Sequence, residues 1–206
     1  MTDSVDRAAA ADLFNDRFGL ISRYSDILLR RGIERGLIGP REAGRLWSRH
    51  ILNSAAVAPE IRESAAVADV GSGAGLPGVP VAVLRPDVQM DLIEPLLRRS
   101  TFLTETVAEL GIAERVSVRR ARAEDVRETY DVVLSRALAP LDRLIRWCLP
   151  LMSADGQILA IKGASAVAEI TMHARLIENS GLVAEVLSLD VSATVPPTTV
   201  VRLRAA

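Results

Sequence analysis

The sequence predicts an α/β fold: a mostly parallel sheet with helices on both faces, a C-terminal antiparallel hairpin and an N-terminal helical extension. Three observations predict it. From Val67 onward the 206-residue chain alternates short Val-rich apolar runs with longer amphipathic segments, the order expected of a parallel sheet covered by helices. The first of these runs leads into three alternating glycines, Gly71, Gly73 and Gly75, and then into Pro77, which suits the first turn of a helix. The last two apolar runs are joined through Pro196-Pro197, which fits a hairpin at a sheet edge better than another crossover.

Each element follows from local pattern. Residues 1–18 read as a helix with a weak apolar stripe of Ala10, Leu13, Phe14 and Phe18, with Gly19 and Gly32 as punctuation. Leu20 to Leu37 reads as one amphipathic helix, with Ile21, Tyr24, Leu28 and Ile33 near one side and Gly39-Pro40 as its stop. Arg41 to Val57 reads as a third helix, with Leu46, Trp47, Ile51 and Leu52 inward. Residues 1–64 are therefore expected to form the extension and 65–206 the core, with no linker between them. In the core, Val67–Val70 is the first strand, Val88–Glu94 the second, Val116–Arg120 the third, Asp131–Ser135 the fourth and Gln157–Lys162 the fifth. Helices are expected at Leu96–Leu110, ended by Gly111, at Leu141–Leu151, and at Ala164–Ser180, ended by Gly181. Leu182–Asp190 and Thr198–Arg204 complete the sheet.

Composition narrows the function. A hydrophobic fraction of 49% with only 3% aromatic residues predicts a core of Ala, Val, Leu and Ile. The single cysteine, Cys148, rules out an internal disulfide and a four-cysteine metal site, and its apolar neighbours make it a buried small hydrophobe. No metal is expected. The acidic, Ala-rich start has no hydrophobic signal region and no apolar run approaches membrane-span length, so a cytoplasmic protein without membrane contact is expected. A net charge of −1 excludes a globally basic nucleic-acid binder. From Ser22 to His50, however, seven Arg face three acids, a basic face that suits a polyanion or is simply a solvated helix side.

The glycine loop discriminates between ligands. A phosphate-cradling loop needs Lys-Ser/Thr where Val79-Pro80 stands, and a dinucleotide fingerprint needs Gly or Ala where Leu76 stands. Asp-Val-Gly-x-Gly-x-Gly is instead the pattern of S-adenosylmethionine (SAM) methyltransferases, a class I, Rossmann-like fold. A side chain at Gly71, Gly73 or Gly75 would block a tight turn or hold a ligand off the backbone, and the free N–H groups of the following turn are expected to face its negative end. Glu94 ends the second strand where a doubly wound fold places an acceptor for ribose hydroxyls. Arg122-Ala123-Glu124-Asp125 occupies the loop that recognises adenine in such enzymes, with either acid as acceptor or as a helix cap. Arg136, after the fourth strand, is a planar fork suited to the SAM carboxylate or an RNA phosphate, or to a salt bridge with Glu124 or Asp125. Lys162 ends the fifth strand near the same cleft. His50 fits capping and packing as well as a substrate contact, and His173 reads as structural. There is no Gly-x-Ser-x-Gly, no His-Glu-x-x-His and no Asn/Asp-Pro-Pro-aromatic motif. The last absence argues against an exocyclic amine as acceptor.

Arg49-His50-Ile51-Leu52-Asn53-Ser54, Asp69-Val70-Gly71-Ser72-Gly73-Ala74-Gly75-Leu76-Pro77-Gly78, Arg122-Ala123-Glu124, Ser135-Arg136-Ala137 and Leu159-Ala160-Ile161-Lys162-Gly163 together resemble the RsmG (GidB) family, bacterial 16S rRNA guanine-N7 methyltransferases. The resemblance runs from about Tyr24 onward. It implies SAM binding at Gly71, Leu76, Ala123, Glu124 and Arg136, and methylation of a guanine in the decoding-region loop of 16S rRNA, free or within a small ribosomal subunit or its assembly intermediate. Relatives often carry Asp at the position of Glu94. Guanine N7 has a lone pair and no proton to lose, so no general base is expected. Arg136 and Lys162 are candidates for aligning the substrate, and Arg49 and His50 for contacting RNA. A SAM enzyme acting on a small molecule, and a non-catalytic RNA-binding assembly factor that keeps the fold, are the competing readings. The basic extension argues against the first and the intact glycines against the second.

Overall fold

The computed structural model describes residues 2–206. Among the described residues one sheet holds β1 (Ala66–Val70), β2 (Gln89–Ile93), β3 (Val116–Arg119), β4 (Tyr130–Arg136), β5 (Met152–Ile161), β6 (Leu182–Leu189) and β7 (Thr198–Ala205). Their order is β3-β2-β1-β4-β5-β7-β6. The first five strands are parallel, and β7 runs antiparallel between β5 and β6. The expected C-terminal hairpin is thus present. From β1 the chain winds outward to β3, then returns to the other side as β4. That reversal opens a crevice at the carboxyl ends of β1 and β4, where doubly wound sheets bind ligands.

Strand alternation sends successive side chains to opposite faces. Val67, Leu92, Leu134 and Leu159 join one buried layer, while Ala68, Ile93, Val133 and Ile158 join the other. The first face is covered by the N-terminal helices α1 (Thr2–Phe14) and α2 (Phe18–Ile27), with α4 (Gly78–Leu84) and α5 (Leu97–Leu110). The second is covered by α6 (Leu141–Cys148), α7 (Ala166–Met172) and α8 (Ala174–Asn179). Cys148 lies in this second layer, and burial pushes its thiol up to about 12.

Several boundaries differ from the sequence reading. Gly19 lies inside α2, and the break falls instead at the 3-10 turn Asn15–Arg17, where Asn15 has φ 45°. The helix expected over Leu20–Leu37 widens into a π turn at Leu28–Gly32 and stops at Gly36, with Leu37 N donating to Gly32 O at 2.8 Å. Gly36 supplies the left-handed residue that closes a helix end. Pro40 begins the next segment rather than ending the last: a 3-10 stretch Pro40–Arg45, a π stretch Leu46–Leu52 and the short α3 (Asn53–Ala55). β5 starts at Met152, not Gln157, because a register shift beside Tyr130 lets Met152 pair early. The helix expected over Ala164–Ser180 divides at His173, whose φ −107° and ψ 16° leave the helical region.

The glycine loop is packed from below. An added Cβ at Gly75, which has φ +97°, would stand 2.7 Å from Val79 Cγ2 and 3.0 Å from the Tyr24 hydroxyl. Gly75→Ala is therefore expected to cost about 1–3 kcal/mol in backbone strain, with overlap added. Gly19→Ala, in an open helical position, is expected to stabilise by roughly 0.5–1 kcal/mol. Equilibrium urea unfolding of both variants checks this pair of signs, and a neutral Gly75→Ala would refute the packing argument.

Candidate functional site: two adjoining clefts

Two clefts of similar size open at the carboxyl ends of the strands. The first, of about 510 Å³, has Gly71 from the glycine loop, Ile93 and Glu94 from the end of β2, Leu96 and Arg99 from the start of α5, and Ala121, Arg122, Ala123 and Glu124 after β3. Trp147 of α6 and Leu138 complete its wall. The second, of about 530 Å³, is lined by Ser48, Arg49 and Asn53 of the extension, Ser135 and Arg136 at the end of β4, Ile161 and Lys162 at the end of β5, and Val195-Pro196-Pro197. Ala137 and Leu138 line both and form the wall between them.

The first cleft is held open by acids. Asp69, fully buried at the end of β1, accepts from Ser72 Oγ at 2.6 Å and from Gly78 N at 2.9 Å, both at Oδ2. Burial without a partner for Oδ1 pushes its carboxyl up to about 6, against the pull of those two bonds. Glu94, only 2% exposed, accepts from Gly73 N and from Leu96 N, each at 3.0 Å. Glu94 Oε1 keeps a second lone pair for a ligand hydroxyl, and Oε2 also faces Arg99 Nη1 at 3.8 Å. The 3-10 turn Ala123–Asp125 presents Ala123 and Glu124 to the cleft and leaves Asp125 outside its lining. Two carboxylates, an apolar wall of Ile93, Leu96, Leu138 and Trp147, and an open space above Gly73, whose Cβ position meets only Gly71 O at 3.8 Å, fit a nucleoside with free hydroxyls.

The second cleft is cationic. Arg136 Nη2 donates to Arg49 O at 2.9 Å and lies 3.1 Å from His50 Nδ1. Lys162 Nζ donates to Ala139 O and to Glu169 Oε2, both at 2.8 Å, which ties the loop after β4 to α7. Asn53 Nδ2 donates to Thr198 Oγ1 at 2.8 Å.

The sequence-predicted residues thus separate. Gly71, Glu94, Ala123 and Glu124 come together at the first cleft; Arg49, Arg136 and Lys162 come together at the second. Gly73 and Leu76 line neither: Gly73 spends its N–H on Glu94, and Leu76 is buried in the core. His50 reaches the second cleft only through Arg136. No salt bridge joins Arg136 to Glu124 or Asp125, because its bonds run to the extension instead. The turn that opens α4 does not offer free N–H groups as expected, since Gly78 N is taken by Asp69 and Val79 N by Gly75 O.

Part of the basic face is met by acids. Arg31 pairs with Glu109, Arg35 with Glu105 at 2.7 Å and Arg45 with Glu42 at 3.0 Å. The first two join the extension to α5 at the surface. Sequence reasoning missed Tyr24, whose hydroxyl donates to Ala74 O at 2.8 Å from fifty residues away, and the wall residue Leu138. Spacing puts Tyr24 on an apolar helix stripe but does not mark its hydroxyl contact with the glycine loop, and no signal marks Leu138. Among the described residues no group of three or more metal-capable side chains gathers, and no helix is long and apolar enough to cross a membrane.

Comparisons with known proteins identify the chain's relatives. The family model GidB, described as rRNA small subunit methyltransferase G, matches residues 18–193. The chain is 50% identical over 204 residues to Ribosomal RNA small subunit methyltransferase G of Salinispora tropica, covering 95% of this chain and 84% of that one. It is 51% identical over 202 residues to the protein of the same name from Mycolicibacterium smegmatis, covering 95% and 85%. Among solved structures, a ribosomal protein L11 methylase from Lactobacillus delbrueckii subsp. bulgaricus matches with TM-score 0.59 at 17% identity, over 75% of this chain and 76% of that one. An O-methyltransferase of neocarzinostatin biosynthesis, solved with SAM, matches with TM-score 0.59 at 14% identity, over 73% and 52%. These two share the fold.

Asp69 yields a pH prediction. The folded chain holds this proton more tightly than the unfolded chain, so its contribution to stability falls as pH rises from 3.8 to about 6 and is level above. The full shift corresponds to on the order of 3 kcal/mol. The stability of the native chain relative to Asp69→Asn is expected to decline over that window in urea unfolding curves. A difference independent of pH would show that Asp69 does not titrate as its burial requires.

Proposed function

The chain belongs to the rRNA small subunit methyltransferase G family and is an rRNA methyltransferase; from that premise we propose that it transfers the SAM methyl to guanine N7 in the decoding-region loop of 16S rRNA. The observation that carries the reading is the pair of adjoining clefts, one with the carboxylates of Glu94 and Glu124 beside an apolar wall and the guanidinium groups of Arg99 and Arg122, the other with Arg49, Arg136 and Lys162 and no acid in its lining. The first suits a hydroxylated nucleoside. The cationic cleft suits a nucleotide within a polyanion. A ribosomal substrate, met as free rRNA, as a subunit or as an assembly intermediate, would place the enzyme in the cytoplasm.

In this reading Glu94 accepts from the cofactor ribose and the Ala123-Glu124 turn meets its adenine. Gly71 makes room for Leu138, which walls the cofactor's cleft, and Gly73 and Leu76 act through the loop's shape. Arg136 stands beside the shared wall and takes the cofactor's carboxylate, while Arg49 and Lys162 face the RNA. SAM supplies an electrophilic methyl on a sulfonium. The N7 lone pair forms the new N–C bond as the S–C bond breaks; no proton moves, and positive charge passes from sulfur to the base. A general base is unnecessary, and the residues act by alignment. Residues 1–64 serve as the RNA-facing extension and 65–206 as the SAM-binding core.

Mass mapping of modified nucleotides in 16S rRNA from cells with and without the gene tests the reading: one 7-methylguanosine in the decoding-region loop should disappear. An unchanged map would overturn it, and methyl transfer to a free metabolite would support a small-molecule enzyme instead. Arg136→Lys keeps the charge but not the fork. It is expected to keep the fold and to weaken SAM binding by about 1.5–3 kcal/mol, the usual worth of a hydrogen bond to a charged group, because an ammonium cannot hold Arg49 O and His50 Nδ1 and still present the Nε and Nη1 donors. Calorimetry with SAM beside a methyl-transfer assay checks this. Normal SAM affinity with slow transfer would reassign Arg136 to the RNA.

A further inference from the structure

Arg136 is half-buried and not free to choose its direction. Both hydrogens of Nη2 are committed, one to Arg49 O at 2.9 Å and one to His50 Nδ1 at 3.1 Å. A guanidinium only donates, so Nδ1 must be the acceptor, and the imidazole proton must sit on Nε2. Nε2 lies 2.9 Å from Glu42 Oε2. Glu42 is in turn 3.0 Å from Arg45 and 3.6 Å from Arg49. Among the described residues Arg136 Nε and Nη1 have no protein acceptor, and these remain for a ligand at the second cleft.

We propose that Glu42 and His50 form a positioning pair for Arg136: Glu42 fixes the Nε2–H tautomer of His50, and His50 Nδ1 holds the guanidinium in the orientation that methyl transfer requires. The proposal rests on the reading of Arg136 as part of the site. It gives the third helical segment a purpose beyond packing, since Arg49 and His50 reach Arg136 at the end of β4 and Glu42 reaches it through His50. It also makes the site sensitive to pH. A second proton on His50 would place N–H against N–H and release Arg136. Glu42 faces His50 from the preceding 3-10 stretch, Arg136 from β4, and Arg49 from the same segment. Burial, Arg136 and Arg49 hold the imidazole below its ordinary 6.5, and the bond to Glu42 opposes them. The neutral form that can accept from Arg136 is therefore the one favoured near neutral pH.

The experiment uses the full chain, radiolabelled SAM and small ribosomal subunits lacking the modification, with kcat/KM measured from about pH 5.5 to 8.5. The native enzyme is expected to show an acid limb with apparent pKa below 6.5. His50→Gln, whose carbonyl can accept from Arg136 while its amide donates to Glu42, is expected to keep most activity and lose that limb. His50→Ala leaves Nη2 without its acceptor and is expected to lose roughly 10-fold or more in kcat/KM. Glu42→Gln removes an anion that favours imidazolium, so the limb should move to lower pH while transfer persists. Native transfer with an acid limb unmoved by either glutamine variant would overturn the positioning pair alone, as would a His50→Gln enzyme as slow as His50→Ala. A native enzyme that transfers no methyl would overturn the reading on which the pair rests, and the pair with it.

Discussion

Asp69 ends β1 with a carboxylate out of contact with solvent, and the glycine loop is folded around it. One oxygen accepts from Ser72 Oγ near the start of the loop and from Gly78 N at its far end, so both ends converge on one atom. A buried carboxylate is costly unless it is hydrogen-bonded, and here the bonds go where the backbone has most freedom to lose. Glycines surrender more conformational entropy on ordering than any other residue. Glu94 from β2 grips Gly73 N and Tyr24 from α2 grips Ala74 O, so three elements hold the loop. A loop ordered in advance does not charge its ordering to ligand binding.

Tyr24 also explains why the N-terminal helices belong to the site. They share one buried layer with β1, β4 and β5, and Asn53 bonds Thr198 at the far side of the sheet. Arg31 and Arg35 meet Glu109 and Glu105 on α5. The extension therefore presents Arg49 and supports Arg136 from a rigid base, which the proposed alignment of the reactants requires.

The parts legible in the sequence are those set by local pattern. Short Val-rich apolar runs marked the strands, and Gly71, Gly73 and Gly75 marked the crevice, because strand, tight turn and helix start must be adjacent in the chain. Glu94 and Glu124 were legible for the same reason: each ends or follows a strand whose carboxyl end must face the crevice. What stayed hidden depends on partners distant in sequence. Arg136 and His50 are 86 residues apart, and nothing in either neighbourhood announces the other. Summed charge overstated the basic face because it ignores acids on α5. The break at His173 carries neither Gly nor Pro, and β5 begins early through a register shift that exists only once β4 is beside it.

The wall between the clefts joins these strands of argument. Ala137, with φ 52°, turns the chain as it leaves β4, between Arg136 at the second cleft and Leu138, whose side chain lies over Gly71. One residue of left-handed backbone thus separates the charged group from the apolar one. The first cleft carries carboxylates and guanidinium groups together, Glu94 and Glu124 with Arg99 and Arg122, beside an apolar wall; the second carries Arg49, Arg136 and Lys162 with no acid in its lining. Both open at the carboxyl ends of the strands and share Ala137 and Leu138, so two ligands seated in them would meet at that wall, with their spacing set by backbone and not by long mobile side chains.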